Sequence, residues 1–220
     1  MKTPQKLIKY LSKEEFAKLL AAEKDKRYKL IYTLGFGSGL RISEIIGLKE
    51  KMSCCCNADI LERKVGEEKK KITKQFCVKC EKELTEKDII ENPNKWKIKP
   101  LEQDQIDLQR HQIKVFGKGS KERITCTSPG LNSTNIKLLP IKIPRRTVQH
   151  HITQISKKFL GKKISAHTFR HGFGNYMVNE KELAMPLVQA MMGHSRIDTT
   201  GIYTKANPVQ ATNAGWGAWE

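Results

Sequence analysis

The stretch "SAHTFRHGFGNYMVNEKELAMPLVQAMMGHSRIDTTGIYT" (residues 165–204) decides how this chain is read. "HTFRHGFGNYMVNE" and "LVQAMMGH" each have helical patterning, and Gly193 with His194 marks a helix ending. A short helix follows in "DTTGIYTKA", for which Asp198 is a reasonable N-cap. His167 and Arg170 lie three residues apart, so one helical face presents both. Tyr203 comes nine residues after His194, in a small and polar setting that calls for an explanation.

Working outward, the region before this stretch is also helical. Pro144 suits the first turn of a helix through "RRTVQHHITQISKKFL", which stops at Gly161. Upstream of that, "HQIKVFGKGSKERITCT" reads as a hairpin. Its Ile113 and Val115, then Ile124 and Cys126, alternate with polar residues around a Gly-Lys-Gly-Ser turn. "IKLLPIKI" (136–143) is expected to be a third strand. Near the start, Ser12 and Glu15 have capping-box spacing, ahead of an amphipathic helix whose stripe is Phe16, Leu19 and Leu20. A second helix fits "RYKLIYTLGFGSGL", and a short third one begins at "RISEIIGL". The glycines at 35–39 are not a dinucleotide fingerprint, because no strand precedes them and the spacing is wrong.

At 220 residues the chain is long enough for one sizeable core or a core plus an appendage. No apolar run approaches the roughly 20 residues that span a bilayer. The opening "MKTPQKLIKYLSKEE" lacks the h-region of a secretory signal, so a cytoplasmic or nucleoid-associated location is expected. Net charge is +18, from 41 Lys+Arg against 23 Asp+Glu, which favours a polyanionic partner, nucleic acid first. Charge alone does not separate DNA from RNA.

Several polar residues sit where packing alone gives no reason for them. Arg41 follows a glycine turn at the mouth of an otherwise apolar helix, and Lys118 sits at a hairpin tip between two glycines. With His167, Arg170, His194 and Tyr203 they supply what metal-free phosphoryl transfer needs. Two guanidinium forks match the nonbridging oxygens of a phosphodiester and stabilise charge in a pentacoordinate transition state. A lysine can protonate a leaving 5′-oxygen, imidazoles exchange protons near neutral pH, and a tyrosine can attack to form a covalent phosphotyrosyl link.

Four blocks, "GSGLRISEIIGLK", "IKVFGKGSKERI", "SAHTFRHGFGNYMV" and "MMGHSRIDTTGIYT", resemble in content and order the signature blocks of the tyrosine recombinase family, which includes phage integrases and Xer-type recombinases. The resemblance implies an α+β fold, mostly helical with a small antiparallel sheet, built discontinuously from residues 1–50 and 101–206. It implies site-specific recombination of double-stranded DNA, with self-association into a tetramer on recombination sites and no metal in catalysis. Carried over residue by residue, it makes Tyr203 the nucleophile that joins a DNA 3′-phosphate and Arg41 and Arg170 the phosphate clamp. Lys118 becomes the general acid for the 5′-hydroxyl. His167 assists proton transfer at the tyrosine, His194 hydrogen-bonds the scissile phosphate, and Glu44 supports the site. Tyr176, the nearest rival nucleophile, lies six residues after Arg170 and should point to another face and pack. His171 is expected to be structural, His150 and His151 to be solvated or to meet DNA backbone, and Cys126 to be a buried strand residue. The alternatives are a type IB topoisomerase-like activity, which uses a similar residue set, and a non-catalytic DNA-binding or zinc-binding module.

Three features depart from the family pattern. Only about ten residues precede the first catalytic-domain helix, so the usual N-terminal clamp domain is expected to be absent. Residues 51–100 form a charged, cysteine-rich insertion whose lysines would extend the DNA-binding surface. There "CVKC" gives Cys77 and Cys80 in Cys-x-x-Cys spacing, and "SCCCN" supplies a triplet some twenty residues earlier. Four thiolates suit tetrahedral zinc, as in a zinc ribbon, with Cys54, Cys56, Cys77 and Cys80 as ligands and Cys55 able to replace either neighbour. The tail, residues 207–220, ends in "GWGAWE" and is either a docking peptide anchored by Trp216 and Trp219 or a frayed end.

Overall fold

A computed structural model describes residues 11–65, 72–117, 122–193, 212 and 215–219. The chain divides into two compact units: one combines the residues up to Gly47 with those from Pro100 onward, and the other is Leu48–Lys99.

In the larger unit, α1 (Lys13–Ala22) starts at the expected capping box. Ser12 Oγ accepts from the Glu15 amide and Glu15 returns the bond to the Ser12 amide, both at 3.2 Å. Its stripe packs inward, with Leu19 fully buried and Phe16 stacked on Phe36 at 4.3 Å between ring centroids. Asp25 caps α2 (Lys26–Tyr32), which widens into a buried π-helical turn over Thr33–Gly37. Gly39 then takes φ +67°, and a Cβ there would lie 2.6 Å from the Phe173 ring. This glycine turn delivers Arg41 to the start of α3 (Ile42–Ile45).

Beyond the insertion, β5 (Ile106–Asp107), β6 (Gln112–Phe116) and β7 (Glu122–Cys126) form an antiparallel sheet in that order. The hairpin register pairs Gln112 with Cys126 and Phe116 with Glu122, so Ile113 and Val115 face the core as their alternation requires. The third strand is therefore Ile106–Asp107 and not "IKLLPIKI". That segment makes a short 3-10 turn at Ile136–Leu138 and runs on through Pro140, which has no N–H to donate to a ladder. Its Leu139 and Ile141 still reach the core.

Three helices complete this unit. α4 (Arg145–Leu160) buries Val148, Ile152 and Ser156 at four-residue steps and stops where Gly161 takes φ +67°. α5 (Ala166–Asn175) extends into a second π-helical turn over Tyr176–Glu180, and α6 (Met185–Met192) ends at Gly193 with φ +62°. Tyr176 is 2% exposed and Cys126 fully buried, both in packing roles as anticipated. The tail is anchored on its own unit: Trp219 lies 5.1 Å from the Tyr176 ring, and Trp216 stacks on His111 at 3.4 Å. Among the described residues, no helix is long and apolar enough to cross a membrane.

The smaller unit is a four-stranded antiparallel sheet, ordered β3 (Ile72–Cys77), β2 (Ala58–Val65), β1 (Leu48–Ser53), β4 (Ile89–Ile98). Strand signal is weak in the sequence here because most of the sheet is exposed on both faces, so apolar and polar residues need not alternate.

Two outcomes test this architecture. A Cβ at Gly172 would meet the Leu11 carbonyl oxygen and the Phe36 ring at 2.7 Å each. Gly172→Ala is expected to destabilise the larger unit by about 1–3 kcal/mol in urea titration, the range for an overpacked core. The Leu101 amide donates to the Ile45 carbonyl at 3.2 Å, so the chain leaves and re-enters the larger unit at nearly one point. Replacing residues 48–99 by a short glycine linker should leave a cooperatively unfolding protein; loss of the unfolding transition would show that the insertion is required for the core.

Candidate active site and cysteine cluster

The centre of the larger unit's site is Glu44, only 2% exposed on the one-turn helix α3. Its carboxylate accepts from the Arg41 amide at 2.7 Å and from Arg41 Nη1 at 2.9 Å. It also receives both terminal nitrogens of Arg123, at 2.7 Å each, in a bidentate pair. Burial by itself would raise the Glu44 pKa, but Arg123 and then Arg41 carry it below the ordinary carboxylate value. Glu44 is therefore ionised and binds the glycine-turn arginine to strand β7. Arg123 went unremarked in the sequence; the available signal was its place in the "GKGSKER" block, on the strand that leads away from Lys118.

Arg123 has a second task, since its Nε donates to the Met191 carbonyl at 2.9 Å. Arg170, on α5 and 1% exposed, donates to the carbonyls of Met192 and Gly39. The free carbonyls at the end of α6 are thus held by two guanidiniums, where cations are favoured by the helix dipole. Gly193 fits there because a Cβ would stand 2.6 Å from Arg123 Cδ. Arg170 Nε has no hydrogen-bond partner among the described residues. Burial, then the charges of Arg41 and Arg123, lower the Arg170 pKa to about 9, with Glu44 opposing; the group still carries its charge at pH 7.

Three guanidiniums facing one carboxylate leave an excess of buried positive charge, which is the electrostatic form of an anion site. Arg41, with 38% of its side chain exposed, is the member that reaches solvent. His167 is exposed on α5, and its ring lies 4.3 Å from that of His171, edge to face. Partial desolvation, then His171, Arg170 and Arg41, lower its pKa, so the imidazole is neutral and able to accept a proton near pH 7. Arg41 and Arg170 thus share one electrostatic neighbourhood with His167. Lys118, His194 and Tyr203, with Asp198, lie outside the described residues.

His151 departs from its expected solvent or DNA-backbone role. Its Nε2 is 2.6 Å from Glu23 Oε2, and its ring stacks on Tyr28 at 3.8 Å. Glu23 also accepts from the buried Tyr32 hydroxyl at 2.9 Å, so the trio ties α4 to α2.

In Leu48–Lys99 the sulfurs of Cys55, Cys56, Cys77 and Cys80 all lie within 4.8 Å of one another. Cys54 is outside this group, and Cys55, the expected alternative to it, lies within. Ser53, at the end of β1, donates its hydroxyl to Cys77 Sγ at 3.1 Å, and Cys54, in the turn that follows, is exposed. The described cysteines are free thiols. Hydrogen bonds from Ser53 and from the backbone amides of Cys80 and Lys79 hold the Cys77 thiol down to about 6, while a hydrogen bond with Cys80 pushes Cys56 up to about 12. Residues 48–99 contain 14 Lys+Arg and 10 Asp+Glu, so most of the +18 charge belongs to the unit with the arginine cluster.

Residues 135–209 match the Phage integrase family, a span that includes His167, Arg170, His194 and Tyr203. The tyrosine recombinase XerC of Pseudomonas savastanoi pv. phaseolicola is 28% identical over 122 residues, covering 47% of this chain and 40% of that protein. The tyrosine recombinase XerA of Pyrococcus horikoshii is 26% identical over 204 residues, covering 93% of this chain and 59% of that protein. The chain thus spans less than two thirds of the length of either relative. Among solved structures, an integrase from mycobacterium phage Brujita superposes with a TM-score of 0.57 at 19% identity, covering all of this chain and 60% of that one. A XerA recombinase superposes at 0.52 and 20% identity, covering 96% and 64%. These two likenesses show that the chain shares its fold with that integrase and that recombinase.

The Glu44 network makes a testable claim on stability. A carboxylate whose folded pKa is depressed contributes stability that is complete above the unfolded value, about 4.3, and drains away as pH falls through the lower folded value. Glu44→Gln should lower neutral-pH stability by about 3–5 kcal/mol, because it leaves two guanidiniums without their shared counter-charge. It should also flatten the acid-side loss of stability in denaturant titrations across that range. An acid limb identical to wild type would refute the linkage.

Proposed function

We propose that the chain is a tyrosine recombinase of the phage integrase family, which cleaves and rejoins double-stranded DNA at specific sites through a covalent 3′-phosphotyrosyl intermediate. The observation that carries the proposal is the arginine cluster around Glu44. Arg41 and Arg170, joined by Arg123, concentrate positive charge beside a neutral imidazole, His167, in the unit that holds most of the chain's positive charge.

The chemistry follows from these groups. The Tyr203 oxygen attacks the scissile phosphorus as His167 takes up the phenolic proton. The bond from phosphorus to the 5′-oxygen breaks, and Lys118 delivers a proton to that leaving oxygen. Arg41 and Arg170 stabilise the extra negative charge on the nonbridging oxygens, and His194 donates a hydrogen bond to one of them. Reversal by a 5′-hydroxyl of a second strand restores the phosphodiester and the free tyrosine, so the bond energy is conserved. Strand exchange between two duplexes engages four copies of the chain. A structural zinc ion held by cysteines of Leu48–Lys99 belongs to the same proposal, and no step of strand transfer runs through it.

Incubation with a nicked suicide duplex should trap a protein–DNA adduct on a denaturing gel, and Tyr203→Phe should abolish it. Arg41→Ala and Arg170→Ala should each reduce adduct formation by roughly 100-fold or more, the scale of one lost transition-state contact. An adduct that persists in Tyr203→Phe would displace Tyr203 as the nucleophile. Relaxation of supercoiled DNA with no exchange between duplexes would favour topoisomerase-like activity over recombination.

A further inference from the structure

The cysteine cluster belongs to a unit that has almost no apolar interior. Among its described residues, the buried apolar side chains are Met52, Cys77, Leu84 and Ile98, and of these Cys77 is the most deeply buried at 1% exposed. Leu61, Val65, Val78, Ile90 and Trp96 all lie exposed. A chain of about fifty residues is at the size where hydrophobic burial alone is marginal and a metal or cross-link commonly makes up the difference.

Sulfur gathers instead at one end of the sheet, with Cys77 buried, Cys56 half-buried and Cys55 and Cys80 exposed. Two tight turns meet there. The first, at 54–57, links β1 to β2 and requires Asn57 at φ +49°. The second follows β3: the Cys77 amide donates to the Lys82 carbonyl at 3.0 Å, and the Glu81 amide donates to the Cys77 carbonyl at 2.8 Å. Each turn contributes two thiols, Cys55 and Cys56 from the first, Cys77 and Cys80 from the second. Around a tetrahedral zinc with Zn–S near 2.3 Å, the sulfurs stand about 3.8 Å apart. The observed Cys55–Cys80 separation is 3.6 Å, with all four sulfurs inside 4.8 Å. A disulfide would need about 2.05 Å, so the arrangement is that of a coordination shell and not of a cross-link.

We infer that Cys55, Cys56, Cys77 and Cys80 bind one zinc ion as four thiolates, that Cys54 is not a ligand, and that this ion is the structural core of Leu48–Lys99. The ion joins the two turns, and so the β1–β2 hairpin to the end of β3, without support from apolar packing. Folding of this unit is coupled to metal binding, whereas the larger unit has its own core and does not need it. The inference is independent of the strand-transfer reading, since it concerns metal content alone.

The test uses the full-length chain, reduced, stripped of metal and then supplied with Zn²⁺ or Co²⁺. Elemental analysis after gel filtration should find one zinc per chain. The Co²⁺ form should show tetrahedral d–d absorption together with the intense thiolate-to-cobalt charge-transfer band of a four-sulfur site. Cys54→Ser should retain one metal per chain, while serine at 55, 56, 77 or 80 should lose it or bind with at least tenfold weaker affinity. Should one of those variants fail to fold, the charge-transfer intensity of the wild-type Co²⁺ form still counts the thiolates. Well under one zinc per chain, an octahedral Co²⁺ spectrum, or loss of metal in Cys54→Ser but not in Cys55→Ser would overturn the inference.

Discussion

One buried carboxylate organises the larger unit. Glu44 receives the bidentate fork of Arg123 and both the amide and the guanidinium of Arg41, so three contacts on one side chain join a glycine turn, a one-turn helix and the central hairpin. A four-residue helix has no stability of its own in water. It persists here because a desolvated charge at its third position has fixed partners, and removing any one of them strands the others. The arginines make the same arrangement serve two ends. Arg123 and Arg170 hold the carbonyls of Met191 and Met192, and so fix the end of α6 immediately before His194. Positioning and electrostatics are therefore one device: the groups that close the fold are those that concentrate positive charge.

That device also explains why the glycines at 39 and 193 are required. Both adopt positive φ, and both face side chains that leave no room for a Cβ, Phe173 in one case and Arg123 in the other. Arg41 leaves the first turn and the end of α6 is sealed at the second, so a side chain at either position would displace an arginine of the Glu44 network. The aromatic packing of Phe16, Phe36 and Phe169, with Tyr176 and Trp219, supplies the rigid floor on which these turns rest.

The smaller unit follows a different principle. With few apolar side chains to bury, it gathers thiols and a serine hydroxyl at the meeting of two turns, where only Cys77 is buried among the four clustered cysteines. Its charge is nearly balanced, so its lysines add little to the polyanion-binding excess of the chain. Two units with such different sources of stability can respond separately to salt and pH.

Much of this was legible in the sequence. Capping at Ser12, the stops at Gly161 and Gly193, the hairpin around Gly117 and the packed fate of Tyr176 all follow from local rules: backbone donors need partners, positive φ favours glycine, and helical spacing sorts faces. The residues expected to carry the chemistry are also local in that sense, because each sits in its own short motif. What the sequence alone did not determine are relations between distant segments. Arg123 meets Glu44 across 79 positions, His151 meets Glu23 across 128, and Cys55 rather than Cys54 faces Cys80. No periodicity encodes such pairings. They depend on which turn brings which strand face against which helix end, and only the tertiary structure decides that, because a buried charge or thiol takes its meaning from the neighbours that replace water.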